Sequence, residues 1–173
     1  SYNFNDNGRL IKCFDKELNQ DFLTEEGNIF SLYEDIPNNW DAWDIDFFYR
    51  DALLETAKVF DIVVGVKCPF YQELTINFSI GKSRITQIVS LNSGSKRLDF
   101  KTKVNWVEKH KMLRVHFPLN IKSDQASFDI QYGYVKRNTH QNTSWDKAKF
   151  EVVGHKYADL SAVSYTHLRA HET

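Results

Sequence analysis

The chain has 173 residues, and its 22 Lys or Arg residues nearly balance its 23 Asp or Glu residues, giving a formal net charge of −1 at pH 7. This balance argues against nucleic acid or a membrane surface as a partner, because such binders carry a basic excess. Hydrophobic residues form 42% of the chain and aromatic residues 14%, which excludes a disordered chain and predicts one globular domain with its own core.

Alternation of apolar and polar residues dominates the chain, and a period of two is typical of half-buried strands. In chain order it predicts strands at residues 73–80, 85–91, 98–106, 113–121 and 128–134. A further strand at residues 9–14 follows a turn at 6–8, and residues 58–66, rich in β-branched residues, predict a more buried strand. Turn-forming residues precede or separate several of these runs, at 6–8, 81–83 and 92–95. A weak helical pattern covers residues 48–56. Short strands at a spacing of about 10 residues predict an all-β fold, an antiparallel β-sandwich.

The first stretch that breaks the strand pattern is residues 34–46, which hold two Trp and five acidic residues. Its candidate site residues are Trp40, Asp41, Trp43 and Asp44. Carboxylates beside exposed rings can bind or cleave a sugar, because a glycosidase needs two carboxyl groups that flank the scissile bond. The alternative is that the Trp rings plug the sandwich while the Asp side chains cap backbone N–H groups of the loop.

The second such stretch is residues 137–149, where His140, Trp145 and Asp146 are the candidate site residues. Polar groups around one large ring on a predicted loop would allow a sugar contact. The alternative is a structural loop in which Trp145 packs and holds a following strand at residues 150–153.

The tail at residues 162–173 continues no earlier pattern and resembles translated sequencing-adapter sequence. We therefore interpret residues 1–161 as one incomplete domain and residues 162–173 as a non-native tail. The tail is excluded from the reasoning on fold and function, together with its His167 and His171.

Other motifs that carry chemistry are missing. The sequence has no His pair with zinc-site spacing, so we predict no metal site within it, and it has no nucleophile elbow and no glycine-rich phosphate loop. Cys13 and Cys68 are too few for a disulfide scaffold. We interpret them as free thiols, with one bridge between them as the alternative. With no secretory signal and no apolar run near the ~20 residues of a spanning helix, we predict a cytoplasmic location.

Several motifs, taken in order, resemble the C-terminal β region of glycoside hydrolase family 38 α-mannosidases, most closely the cytoplasmic or bacterial branch. They are Glu-Asp-Ile-Pro at 34–37, Trp-Asp-Ala-Trp-Asp-Ile-Asp at 40–46, Gln-Tyr-Gly-Tyr at 131–134, Asn-Thr-Ser-Trp-Asp at 142–146, Lys-Phe-Glu-Val at 149–152 and His-Lys-Tyr-Ala-Asp-Leu-Ser at 155–161. The resemblance covers about residues 7–161 and implies a supersandwich-like antiparallel β fold.

The resemblance also implies an activity and a division of labour. The family hydrolyses terminal α-mannosyl residues with retention, through a covalent intermediate on an Asp and with a zinc ion. The nucleophile, the acid and the zinc ligands belong to an N-terminal domain, which we expect to lie outside this chain, so no catalytic or metal residue is transferred here. The implied partners are that catalytic domain of the same polypeptide and α-mannoside oligosaccharides. The chain would support the catalytic domain and line outer sugar subsites.

Two other functions stay open on the residues alone. The Trp content suits an autonomous carbohydrate-binding β-sandwich module. The Asp41, Asp44 and Asp46 cluster would suit a complete small glycosidase, for which a pair of carboxyl groups is the minimum requirement.

Overall fold

A computed structural model describes residues 1–41, 43–162 and 165–171 of the chain. These residues fall into two compact units, Ser1–Leu119 and Asn120–Thr173. Nearly all regular elements are antiparallel strands, which confirms the predicted all-β fold class. In the described part of the chain, no helix has the length and hydrophobicity that crossing a membrane requires.

The first unit contains ten strands and one 3-10 helix within its described residues. They are β1 (Tyr2–Phe4), β2 (Leu10–Asp15), β3 (Gln20–Asp21), β4 (Ile29–Glu34), the 3-10 helix (Phe47–Asp51), β5 (Leu53–Thr56), β6 (Lys58–Cys68), β7 (Tyr71–Ile80), β8 (Ser83–Asn92), β9 (Leu98–Asn105) and β10 (Lys111–His116). They form three sheets with the strand orders β1-β2-β3, β10-β4-β5 and β6-β7-β8-β9.

The core of this unit lies between the β6-β7-β8-β9 sheet and the β10-β4-β5 sheet. Its buried residues come from β4, β7 and β8: Phe30, Leu32, Ile76, Phe78, Ile80, Ile85 and Val89. Every second residue of β7 contributes, because successive side chains of a strand point to opposite faces. The Phe30 and Phe78 rings meet edge to face, with their centroids 5.3 Å apart. Two sheets that share one apolar interior form the predicted sandwich arrangement.

The second unit contains β11 (Gln125–Ile130), β12 (Gly133–Asn138), a short helix α1 (Ser144–Ala148), β13 (Tyr157–Ala162) and β14 (Tyr165–His171), with the strand order β12-β11-β13-β14. Asp129, which is 7% exposed, organises the connection into β13. One oxygen of its carboxylate accepts the backbone N–H groups of residues 155, 156 and 157 at 2.9, 2.5 and 2.8 Å. Burial raises the pKa of this carboxyl, but the three donors outweigh burial and the pKa is lowered.

Two sequence-based predictions in this unit are wrong. Residues 128–134 are not one strand, because a two-residue turn at Gln131 and Tyr132 divides them between β11 and β12. The alternation continues across the turn and hides it. The predicted strand at residues 150–153 is also not formed. That segment is irregular, and the next strand begins at Tyr157, the last of the three residues whose N–H groups donate to the Asp129 carboxylate.

Three further differences concern the first unit and the tail. The predicted helix at residues 48–56 is a 3-10 helix at Phe47–Asp51 followed by β5. The strand predicted at residues 113–121 ends at His116, just before Pro118, which has no N–H to donate to a ladder. Strand β14 lies in the segment that we interpret as a non-native tail. Its pairing with β13 was not expected, and the origin of the tail stays a prediction.

Candidate functional site

The first candidate loop joins β4 to the 3-10 helix. Its entry is fixed by backbone hydrogen bonds, since the N–H of Glu34 donates to the Ala52 carbonyl at 3.0 Å and the N–H of Asp35 to the His110 carbonyl at 2.9 Å. The first residues of the loop are therefore held in place by hydrogen bonds to neighbouring segments of the same unit.

The tip of this loop is a tight turn at Trp40. The Trp40 carbonyl accepts the N–H groups of Trp43 at 2.8 Å and Asp44 at 3.1 Å, and Trp40 has a φ of +62°. That backbone conformation costs a bulky residue roughly 1–2 kcal/mol. The Trp40 and Trp43 side chains are 75% and 91% exposed, so neither ring plugs the sandwich. A strained turn that presents two large rings to solvent is typical of a binding site.

Two carboxylates of this loop cap backbone N–H groups. Asp46 accepts the N–H of Asn38 at 2.6 Å, and Asp44 accepts the N–H of Ile45 at 3.0 Å, so both cap backbone groups as the structural alternative supposed. Asp41 and Asp44 are exposed beside the two rings. The alternative of a purely structural loop is therefore correct for Asp44 and Asp46, which cap backbone N–H groups. It is wrong for the two Trp rings, which are exposed.

A cavity beside this loop is small. Its volume is about 40 Å³, and it is lined by Glu34, Asp35, Ile36, Pro37, Asp46, Phe48, Tyr49 and Ala52. This volume accommodates water but not a sugar ring. A sugar bound here would therefore lie on the exposed faces of the rings rather than in the cavity.

The second candidate loop is built around Asp146. Thr143 is the N-cap of α1, and its Oγ1 accepts the N–H of Asp146 at 3.1 Å and donates to the Asp146 carboxylate at 2.7 Å. The Asn138 amide donates to the other carboxylate oxygen at 3.1 Å. The hydrogen bond from Thr143, followed by that from Asn138, holds the pKa of Asp146 below its usual range. Asp146 is thus a fixed, ionised carboxylate.

The other two candidates in this loop surround that carboxylate. His140 Nδ1 lies 3.6 Å from Asp146 Oδ2 and accepts a long hydrogen bond from the Asn142 N–H at 3.5 Å, so the imidazole lies beside the fixed carboxylate. Trp145 is 80% exposed and does not hold a strand at residues 150–153, so the structural alternative for this ring is wrong. Trp40, Asp41, Trp43 and Asp44 belong to the first unit, whereas His140, Trp145 and Asp146 belong to the second.

Acidification tests the fixed carboxylate. The lowered pKa of Asp146 means that its stabilising effect is complete above the unfolded-state pKa and is lost as pH falls through the folded-state pKa. We expect Asp146→Asn to lower the denaturation midpoint at about pH 7 and to approach the unsubstituted chain in acid, once the pH has fallen below the folded-state pKa of Asp146. Asp124→Asn, at an exposed position of the same unit, is the matched control. If the denaturation midpoint of Asp146→Asn stays equally far below that of the unsubstituted chain at every acid pH, the ionised Asp146 carboxylate is not what stabilises this loop.

Tyr132 was not identified from the sequence as an exposed aromatic side chain at a turn. This residue lies at the β11–β12 turn with a φ of +64°, and its side chain is fully exposed. The only sequence signal is the tight Gln-Tyr-Gly-Tyr segment, in which Gly133 suggests a turn that the alternation obscures.

The described residues of the candidate loops form no cluster of side chains that could bind a metal ion. Across residues 1–41, 43–162 and 165–171, no group of three or more His, Cys, Asp or Glu side chains could hold a metal ion. The described residues therefore do not fit the zinc ion that the sequence resemblance implies.

Comparison with known proteins identifies the family. Residues 2–167 match the family model described as the Glycosyl hydrolases family 38 C-terminal domain. Alpha-mannosidase G of Dictyostelium discoideum is 36% identical over 171 residues, which cover 92% of this chain and 15% of that protein. Alpha-mannosidase 2C1 of Homo sapiens is 41% identical over 141 residues, with 78% and 13% coverage. The Saccharomyces cerevisiae Alpha-mannosidase is 36% identical over 172 residues, with 91% and 16% coverage.

A solved structure agrees at the level of the fold. An alpha-mannosidase from Enterococcus faecalis V583 matches with a TM-score of 0.72 and 18% identity, over 93% of this chain and 21% of that one. The chain belongs to the glycosyl hydrolase family 38 C-terminal domain family. It spans 13% to 16% of the length of the curated relatives named above.

Proposed function

We propose that this chain is the C-terminal β region of an α-mannosidase that hydrolyses terminal α-mannosyl residues with retention. The observation that carries the proposal is the family match over residues 2–167. The names of the relatives support it, since the curated proteins compared above are α-mannosidases.

In this proposal the chain supports chemistry that takes place elsewhere in the polypeptide. The nucleophile and the zinc ion belong to an N-terminal catalytic domain, and α-mannoside oligosaccharides are the substrates. Cys13 and Cys68 are free thiols, which supports a cytoplasmic location because reducing compartments keep thiols unpaired.

The two loops supply the proposed contacts to substrate or catalytic domain. Trp40, Trp43 and Trp145 present large, rigid apolar faces on which a sugar ring can pack. Asp41 and Asp44 provide acceptors for sugar hydroxyls beside the first two rings. Asp146 acts as a positioning residue for His140, because Thr143 and Asn138 fix its carboxylate.

Kinetics of the full-length parent enzyme test these roles. We expect Trp40→Ala and Trp43→Ala to lower kcat/KM for an α-mannoside oligosaccharide roughly tenfold, the equivalent of one lost aromatic stacking contact. A substrate with a single mannosyl residue should be affected less, because it does not reach outer subsites. His140→Ala should lower kcat on both substrates if the second loop positions groups at the domain interface.

Trp106→Ala is the matched control for the tryptophan substitutions, since Trp106 is a partly exposed ring of the first unit outside both loops. The assignment of the loops is wrong if all these variants keep the kinetics and the melting temperature of the parent. A control that loses as much activity as Trp40→Ala would instead indicate general destabilisation.

A second candidate function is an autonomous carbohydrate-binding module, and the exposure of Trp40, Trp43 and Trp145 favours it. Calorimetric titration of mannose oligosaccharides into this chain distinguishes the two functions. Saturable binding that Trp43→Ala abolishes supports the binding module, whereas the absence of binding favours a purely supporting role.

A further inference from the structure

Strand β6 forms one edge of the largest sheet of the first unit. It has 11 residues and pairs with β7 on one side, and no second strand partner is assigned to it among the described residues. An edge strand presents a row of N–H and C=O groups that can pair with a further strand. Natural proteins usually protect such an edge with charges, prolines or short length.

This edge is instead long and apolar. Its exposed hydrophobic side chains, here called the apolar edge, are Phe60, Val63, Val64, Val66 and, in the following turn, Phe70. The strand has charged residues at Lys58, Asp61 and Lys67, and Asp61 accepts a hydrogen bond from Asn77 of the neighbouring strand. The centre of β6 around Val63 and Val64 carries no charge, so it lacks the usual protection.

The position of Val64 at the edge of the sheet leaves it uncovered. The register pairs Ile62 with Ile76 of the core, and Val64 with Leu74 two residues further along the same face. At the level of Val64, Leu74 is half-buried and its β8 partner Val89 is 3% exposed, so the sheet interior is covered there. Val64 is 69% exposed although it lies on the core side, so the cover ends at the edge strand.

We propose that β6 pairs with a further β-strand from another region of the same α-mannosidase polypeptide, whose apolar side chains cover Val64 and Val66. This inference rests on the proposed function. The chain spans only 13% to 16% of its curated relatives, so most of such a polypeptide lies outside these residues. A tethered strand has an effective concentration of roughly millimolar, which favours it over a second copy of the protein.

Hydrogen exchange at single-residue resolution in the full-length parent tests the added strand. Adjacent residues of an antiparallel strand direct their N–H groups to opposite sides, so of Val63 and Val64 one N–H faces β7 and the other faces the edge. We expect both amides to exchange at least roughly 100-fold more slowly than unprotected amides. Thr75 and Leu74, their partners in β7, provide the internal standard for paired amides.

Two outcomes overturn the proposal. One is fast exchange of either Val63 or Val64 while Thr75 and Leu74 are protected, because the edge is then free. The other is protection of both amides that disappears on dilution of a dimer, because the occupant is then a second copy. An α-mannoside hydrolysis assay on the same preparation reports separately on the proposed function, so failure of one result does not obscure the other.

A pair of substitutions in the full-length parent examines the side chains. Val64→Glu should lower the melting temperature, because the added carboxylate would be buried against the covering strand. Lys101→Glu, on the exposed outer face of β9, is the control and should leave it nearly unchanged. Equal melting temperatures of the Val64→Glu and Lys101→Glu variants would contradict the proposal that a further strand covers Val64.

Discussion

Replacement of Phe78 by alanine should lower the free energy of unfolding of the first unit by about 3–5 kcal/mol, the cost of deleting a buried aromatic ring. Phe78 is 2% exposed and contacts Phe30 across the sandwich. The Gly8 backbone packs against the ring so closely that a Cβ there would lie 2.8 Å from Phe78 Cε1. Removal of the ring therefore leaves a cavity beside the Gly8 backbone. Chemical denaturation of the chain measures the effect.

Phe70→Ala provides the matched control, because Phe70 follows the neighbouring strand and is 78% exposed. The same chemical change there should alter the free energy of unfolding of this chain by less than about 0.5 kcal/mol. Similar losses for the two variants would mean that Phe78 is not the centre of the core.

Asn28→Ala should give the second largest loss, about 2–4 kcal/mol, since it leaves buried partners unsatisfied and places alanine at a positive φ. Asn28 is 1% exposed with a φ of +59°. Its amide donates to the Gly8 carbonyl at 2.9 Å and to Gln87 Oε1 at 2.8 Å, and its oxygen accepts from Gln87 Nε2 at 3.1 Å. Removal of the side chain breaks all three bonds inside the sandwich.

Asn19→Ala separates the backbone contribution from the hydrogen bonds. Asn19 has a φ of +52° but is exposed, so its replacement should cost only the backbone penalty of about 1–2 kcal/mol. Denaturation midpoints of the two variants measure the difference. An Asn28→Ala loss no larger than that of Asn19→Ala would show that the buried amide pair adds nothing.

The sequence predicted the long strands well because the residue pattern that identifies a strand lies within the strand itself. Strands β7 to β9 follow the predicted runs within a few residues, since a period of two depends only on one buried face. Strand β6 also lies where it was predicted, but the expectation that it is more buried is wrong, because it is an exposed edge strand. Strand β4 was not predicted, although Phe30 and Leu32 lie at the centre of the core. Its importance comes from the sheet that faces it, whose buried core residues begin only at Ile76, far along the chain.

The candidate loops were located by composition, but their geometry was not. Two Trp and several Asp residues in residues 34–46 marked an unusual connection. Whether Trp40 and Trp43 were buried plugs or exposed faces could not follow from spacing, because that choice depends on the turn at Trp40 and on the room left in the sandwich. The same holds for Trp145.

The sequence by itself determined the all-β class, the family and the positions of the two polar loops, because alternation and short motifs are properties of neighbouring residues. Only the tertiary structure decided which strands are edges, that Val64 remains uncovered, and that Asp129 and Asp146 hold their loops. These features arise from contacts between distant segments of the chain, and local periodicity carries no information about such contacts.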